Sequence, residues 1–147
     1  GWQSLDPFNL SDALAQDIDS RITLSLTNEQ DGARSRHDMA MQIRQSFGVP
    51  VVLLVSESLG HPIIMRESGD ELDDTGFAFR IVAETADTPE QITYHVEIRR
   101  TSPDGATIDT LATPVLTVER AETARIEIGI IPIGMLAMEL TPGPVDN

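Results

Sequence analysis

A chain of 147 residues has the length of one domain, and a domain of that size buries about two thirds of the surface its unfolded form exposes. Twenty-four acids against ten bases, all of them Arg, give a formal charge of −14. Such a surface repels phosphate backbones and anionic headgroups, because binding either one depends on clustered cations, so nucleic acid is not an expected partner.

The chain contains no cysteine, which rules out a disulfide, a thiolate nucleophile and a zinc-thiolate site. Aromatic residues make up 4% of the chain while apolar residues make up 40%, so the core must be built from aliphatic side chains. No run approaches the roughly 18 apolar residues of a membrane-spanning helix. The longest, residues 49–55, suits a buried strand, and direct membrane insertion is not expected. Gly1 in place of an initiator Met reads as the mark of a truncated or processed chain, one that could have lost a signal peptide or anchor.

Residues 1–20 read as a leader and a short helix. Ser11 can cap residues 12–18, Asp12 favours the first turn, and Leu10, Leu14 and Ile18 would share one face. Trp2, upstream, is expected to dock on the body rather than waste its apolar area in water. Residues 21–27 alternate cleanly, with Ile22, Leu24 and Leu26 on one side and Thr23, Ser25 and Thr27 on the other. That is a strand, and residues 28–32 are a polar turn. Residues 33–48 fit either period, since Met39, Ile43 and Phe47 suit a helix while Met39, Met41 and Ile43 suit a strand.

An internal comparison favours the strand. Shifting the chain by 75 residues sets Met41 on Leu116, Ile43 on Val118, Val49 on Ala124, Val51 on Ile126 and Leu53 on Ile128. This reads as an internal duplication with strands at 39–45 and 49–56, Gly48 allowing the turn between them. Further strands are expected at 61–67, from Phe77 to Val82, from Ile92 to Arg99, at 108–111 and from Leu136 to Leu140. The turn Thr88-Pro89-Glu90 makes a hairpin of the runs on either side, and Ser102-Pro103-Asp104-Gly105 makes another turn. Arg99 and Arg100, the only adjacent bases, read as a solvated sheet edge rather than an anion site. In residues 113–132 apolar positions alternate on both sides of a polar break at 119–123, which predicts two short strands joined by a turn.

Nine or ten short strands predict an all-β fold, an antiparallel β-sandwich over residues 21–141, with a short N-terminal helix before it and a flexible tail at 142–147. The inward residues expected are Leu24, Ile43, Val51, Leu53, Phe77, Phe79, Tyr94, Val96, Leu116, Val118, Ile126 and Leu136.

The pattern Leu111-x-Thr113-Pro114-x-Leu116, then Ala124-x-Ile126-x-Ile128-Gly129 and Pro132, resembles the C-terminal extracytoplasmic β-domain of bacterial antirepressor (BlaR/MecR-like) membrane metallopeptidases. The likeness runs loosely over residues 39–140. Over about twenty residues the chain is also similar to secretin channel proteins of bacterial secretion systems. The metallopeptidase zinc motif H-E-x-x-H is absent, so the resemblance implies an accessory domain of the cell envelope, periplasmic or extracytoplasmic, and transfers no catalytic residue.

Candidate chemistry is sparse. His37, His61 and His95 form no i, i+4 or H-x-H pair. Ser35 beside His37-Asp38 has the residue types of a triad, but no G-x-S-x-G elbow accompanies it, and the polar run from Ser56 to His61 reads as a loop. Residues 69–74 bring four carboxylates together, the density that a hard cation such as calcium prefers, yet the spacing departs from D-x-D-x-D-G and Leu72 interrupts it. A solvated acidic loop is the plainer reading; if calcium binds, Asp70, Asp73 and Asp74 are its ligands. The chain is therefore expected to be a non-enzymatic interaction or sensory domain without a cofactor, its partner a protein. A structural component of a secretion or surface assembly is the alternative, and a calcium-dependent or hydrolytic domain is disfavoured.

Overall fold

The computed structural model describes residues 17–30, 32–56, 62–66, 76–101, 108–129 and 134–144. Ten strands follow one another: β1 (Asp17–Gln30), β2 (Ala33–Ser46), β3 (Val51–Ser56), β4 (Pro62–Arg66), β5 (Gly76–Thr85), β6 (Gln91–Thr101), β7 (Ile108–Ala112), β8 (Val115–Glu119), β9 (Ala124–Gly129) and β10 (Gly134–Pro142). No helix occurs among the described residues. Asp17 and Ile18, the last residues of the helix expected at 12–18, belong to β1, and the rest of that segment lies outside the described residues. At Ile18 the spacing misleads for a physical reason: a step of four residues returns to the same face in a strand as well as in a helix.

The strands form two antiparallel sheets. Sheet A has the order β2-β1-β10-β9, and sheet B the order β4-β3-β5-β6-β7, with β8 also pairing β6. A single apolar core takes side chains from both, which makes the arrangement sandwich-like. Of the expected inward residues, ten are buried in it, among them Leu24, Ile43, Leu53, Phe79 and Leu136. Leu116 and Ile126 are half-buried against its flank. As expected from the turn at Pro89, β5 and β6 form a hairpin, in register from Phe77 opposite Arg100 to Thr85 opposite Ile92. Val51, Val52, Leu53 and Val55 of β3 are all buried, which accounts for the unbroken apolar run there.

The strands expected in 113–132 exist but do not pair with each other. β8 lies on β6 in sheet B, Leu116 opposite Tyr94, whereas β9 lies on β10 in sheet A, Ala124 opposite Leu140. Residues 120–123 are therefore a corner between layers. Residues 47–50 form the matching corner on the other flank, carrying the chain from β2 in sheet A to β3 in sheet B. A short polar break between two alternating runs looks the same in sequence whether the chain doubles back or changes sheet.

Both corners sit at one end of the molecule, where β1 begins and β10 ends: Ser46 is opposite Asp17, and Pro142 is opposite Ser20. Hydrogen bonds between layers concentrate there. Gly48, with φ of 81°, donates its N–H to Ala83 O at 2.9 Å, and Gln45 Nε2 donates to Ile81 O at 3.1 Å and to Val49 O at 3.2 Å. Between the corners, the buried hydroxyls of Ser20 and Tyr94 lie 2.6 Å apart and join sheet A to sheet B. Burial pushes the Tyr94 phenol up to about 12, against a smaller opposing effect of the Ser20 hydrogen bond. At the second corner Arg120 donates from its N–H to Glu90 O at 2.9 Å, from Nε to Pro89 O at 2.7 Å and from Nη1 to Gly143 O at 3.1 Å. Ala121, at φ of 69°, donates to Pro142 O at 2.7 Å. Gly143 in turn donates to Asp19 O at 2.7 Å, which ties the chain beyond β10 to β1.

Candidate functional site

Alternation in sheet A sends Ile22, Leu24, Met39 and Met138 into the core and leaves short polar residues outside. Register aligns those outer residues in rows across four strands. One row runs Ala40, Thr23, Glu139, Arg125, and the next runs Asp38, Ser25, Ala137, Glu127. Small side chains thus gather at Thr23, Ser25, Ala40 and Ala137, with long charged ones around them. The result is an open depression of about 290 Å³, floored by Thr23, Ser25, Ala40 and Ala137 and rimmed by Arg36, Asp38, Arg125 and Glu139.

Each side of the rim is a cluster of paired charges. On the β2 side, Arg36 Nε donates to both Asp38 carboxylate oxygens, at 2.9 and 3.1 Å. That guanidinium, with a further hydrogen bond from Ser25, holds the Asp38 carboxyl below the usual carboxylate range. On the β9 side, Arg125 donates from Nε to Glu127 at 2.9 Å and from Nη1 to Glu139 at 3.2 Å, while Thr23 Oγ1 donates to Glu139 at 3.0 Å. Hydrogen bonding to Glu127 and Glu139 raises the Arg125 guanidinium further above its ordinary value. Toward the corner end the same face carries a second depression of about 610 Å³, lined by Asp19, Arg21, Gln42 and Arg44 among others. An array of paired charges of both signs over a floor of methyls and hydroxyls suits recognition of a polypeptide surface, since it offers donors and acceptors in fixed positions.

Of the residues singled out in the sequence, Asp38 lies on this rim. Asp70, Asp73 and Asp74 fall outside the described residues, as does His61. His37 and Asp38 are consecutive on β2 and leave its opposite faces, so they cannot act together on one substrate. His95 lies on β6 with Nε2 3.2 Å from Glu84. Among the described residues no group of three or more potential ligands gathers that could hold a metal ion, and no helix is long and apolar enough to cross a membrane. Arg99 and Arg100 do not mark a sheet edge. They sit on β6 between β5 and β7, with Arg99 2.9 Å from Glu97 and Arg100 stacked over the Phe77 ring at 5.4 Å.

Compared with protein-family models and with curated proteins, the chain finds no significant match.

Proposed function

We propose that this chain is a non-enzymatic accessory module of the bacterial cell envelope, an interaction or sensory β-sandwich that binds a protein partner on the outer face of sheet A. The observation that carries the reading is the depression on that face, with Arg36–Asp38 on one side and Arg125–Glu139 on the other. Asp38, its carboxyl held below the usual range by Arg36, is suited to charge-complementary recognition and poorly suited to proton donation at neutral pH. Resemblance of the Leu111 to Pro132 pattern to the extracytoplasmic domain of BlaR/MecR-like proteins supports the envelope setting.

Photo-crosslinking in a bacterial host tests it. A photoreactive residue at Ala40, on the floor, should yield one discrete protein adduct in the envelope fraction, while the same residue at Thr110, exposed on β7, should not. Equal adducts from both positions, or none from Ala40, would count against the assignment. The unbroken outer edge of β2 favours a second reading, a structural component of a secretion or surface assembly; rings or polymers of the isolated protein would select it.

A further inference from the structure

A sheet edge left open is a template for another strand, and proteins blunt such edges by breaks, bulges, prolines or brevity. Three of the four edges here are treated in that way. The β7/β8 edge is broken at residues 113–114, where Pro114 cannot donate, and its register shifts between Ile98 and Arg99. β9 has six residues, and β4 has five and begins with Pro62. β2 is the exception: its 14 residues pair with β1 at every position without a bulge, and among the described residues no strand pairs with its other side.

The sequence of that edge is complementary to itself. When two copies of β2 are laid antiparallel with Met41 opposite Met41, Met39 falls opposite Ile43, Ala40 opposite Gln42, and Asp38 opposite Arg44, each pair occurring twice. The inward row then continues the core, and half-buried Met41 meets its own image. On the outward row the two charge pairs are opposite in sign. Sliding one strand by two residues sets Arg36 against Arg44, and centring on His37 sets Met39 against Ser35, so neither alternative satisfies both rows.

We propose that a second copy of this chain docks on β2 in this register, joining two four-stranded sheets into one of eight strands. The contact is isologous and closes at two copies, setting the two depressions side by side on one continuous face. It does not depend on what those depressions bind.

The experiment is sedimentation of the wild-type protein and of the variants Asp38→Arg and Arg44→Asp, each alone and then mixed. Wild type should form a dimer in the micromolar range, and each variant alone, facing like charges twice, should associate roughly tenfold more weakly or worse. An equimolar mixture should regain the dimer, because each copy then offers the charge the other lacks. Both variants also lose pairs within the protomer, Asp38 with Arg36 and Arg44 with Asp17 and Asp19, and the mixture keeps those losses, so recovery isolates the contact between copies. Since the chain has no cysteine, Met41→Cys should oxidise to a covalent dimer and Met39→Cys should not. A monomer up to roughly 1 mM, a dimer equally strong in either variant alone, or a mixture that does not recover would each overturn the proposal.

Discussion

The two flanks of this sandwich are built alike and finished differently. Each turns a sheet A edge strand into a sheet B strand through a four-residue corner, residues 47–50 on the β2 side and 120–123 on the β9 side. On the β9 side Arg120 and Ala121 bind two other segments, residues 89–90 and 142–143, and the neighbouring edge is cut by Pro114 and a register shift. On the β2 side the corner rests on Gly48 and Gln45, and the edge beside it is long and regular. One flank is thus closed and the other left able to accept a strand, a difference that arises from a few residues and not from topology.

The largest expected effect lies in how deeply each flank reaches the core. Ile43→Ala on β2 should cost about 3 kcal/mol in denaturant unfolding, because Ile43 is buried and its removal leaves a cavity. Ile126→Ala on β9 should cost about 1–2 kcal/mol, its side chain being half-buried and already near water. Equal losses would erase the distinction between the flanks.

Between the flanks, the Ser20–Tyr94 bond ties the sheets together, and burial of the Tyr94 phenol makes stability depend on pH. Tyr94 keeps its proton up to about 12 when folded, whereas an unfolded tyrosine loses it near 10. The stabilising contribution is therefore intact below about pH 10 and disappears as pH climbs from there to about 12, a loss of roughly 2–3 kcal/mol. Tyr94→Phe should remove that slope and, by stranding the Ser20 hydroxyl, cost about 1–3 kcal/mol at neutral pH.

Both corners should favour glycine. Gly48→Ala meets no atom within 4 Å, so its cost, about 1 kcal/mol, comes from holding an alanine at φ of 81°. Ala121→Gly relieves the same strain at φ of 69° but frees the unfolded chain, and should stabilise by a few tenths of a kcal/mol. Thermal midpoints of the two variants would show it. Smallest of all, calcium should leave the midpoint unchanged; a rise would instead show that the ion binds the native state, with Asp70, Asp73 and Asp74 the first ligands to test, since a ligand of the native state stabilises by mass action.

Strand positions were legible because two-residue periodicity is written locally: Leu24, Leu53, Phe79 and Val96 point inward as their spacing requires. Pairing was not, because a break such as residues 119–123 carries no record of which strand comes next to it. For the same reason the depression on sheet A escaped notice. Arg36, Asp38, Arg125 and Glu139 come from three strands, up to 103 residues apart, and meet only when the order β2-β1-β10-β9 is known. Ile18 shows the remaining ambiguity, a spacing of four that both kinds of element satisfy.

Amide hydrogen exchange followed as protein concentration is raised tests most directly the claim that one flank is open and the other closed. Every second amide along β2 should gain protection as copies associate, while amides of β9 and β7 stay as they were. Protection that appears on β9 or β7, or on neither flank, would contradict it.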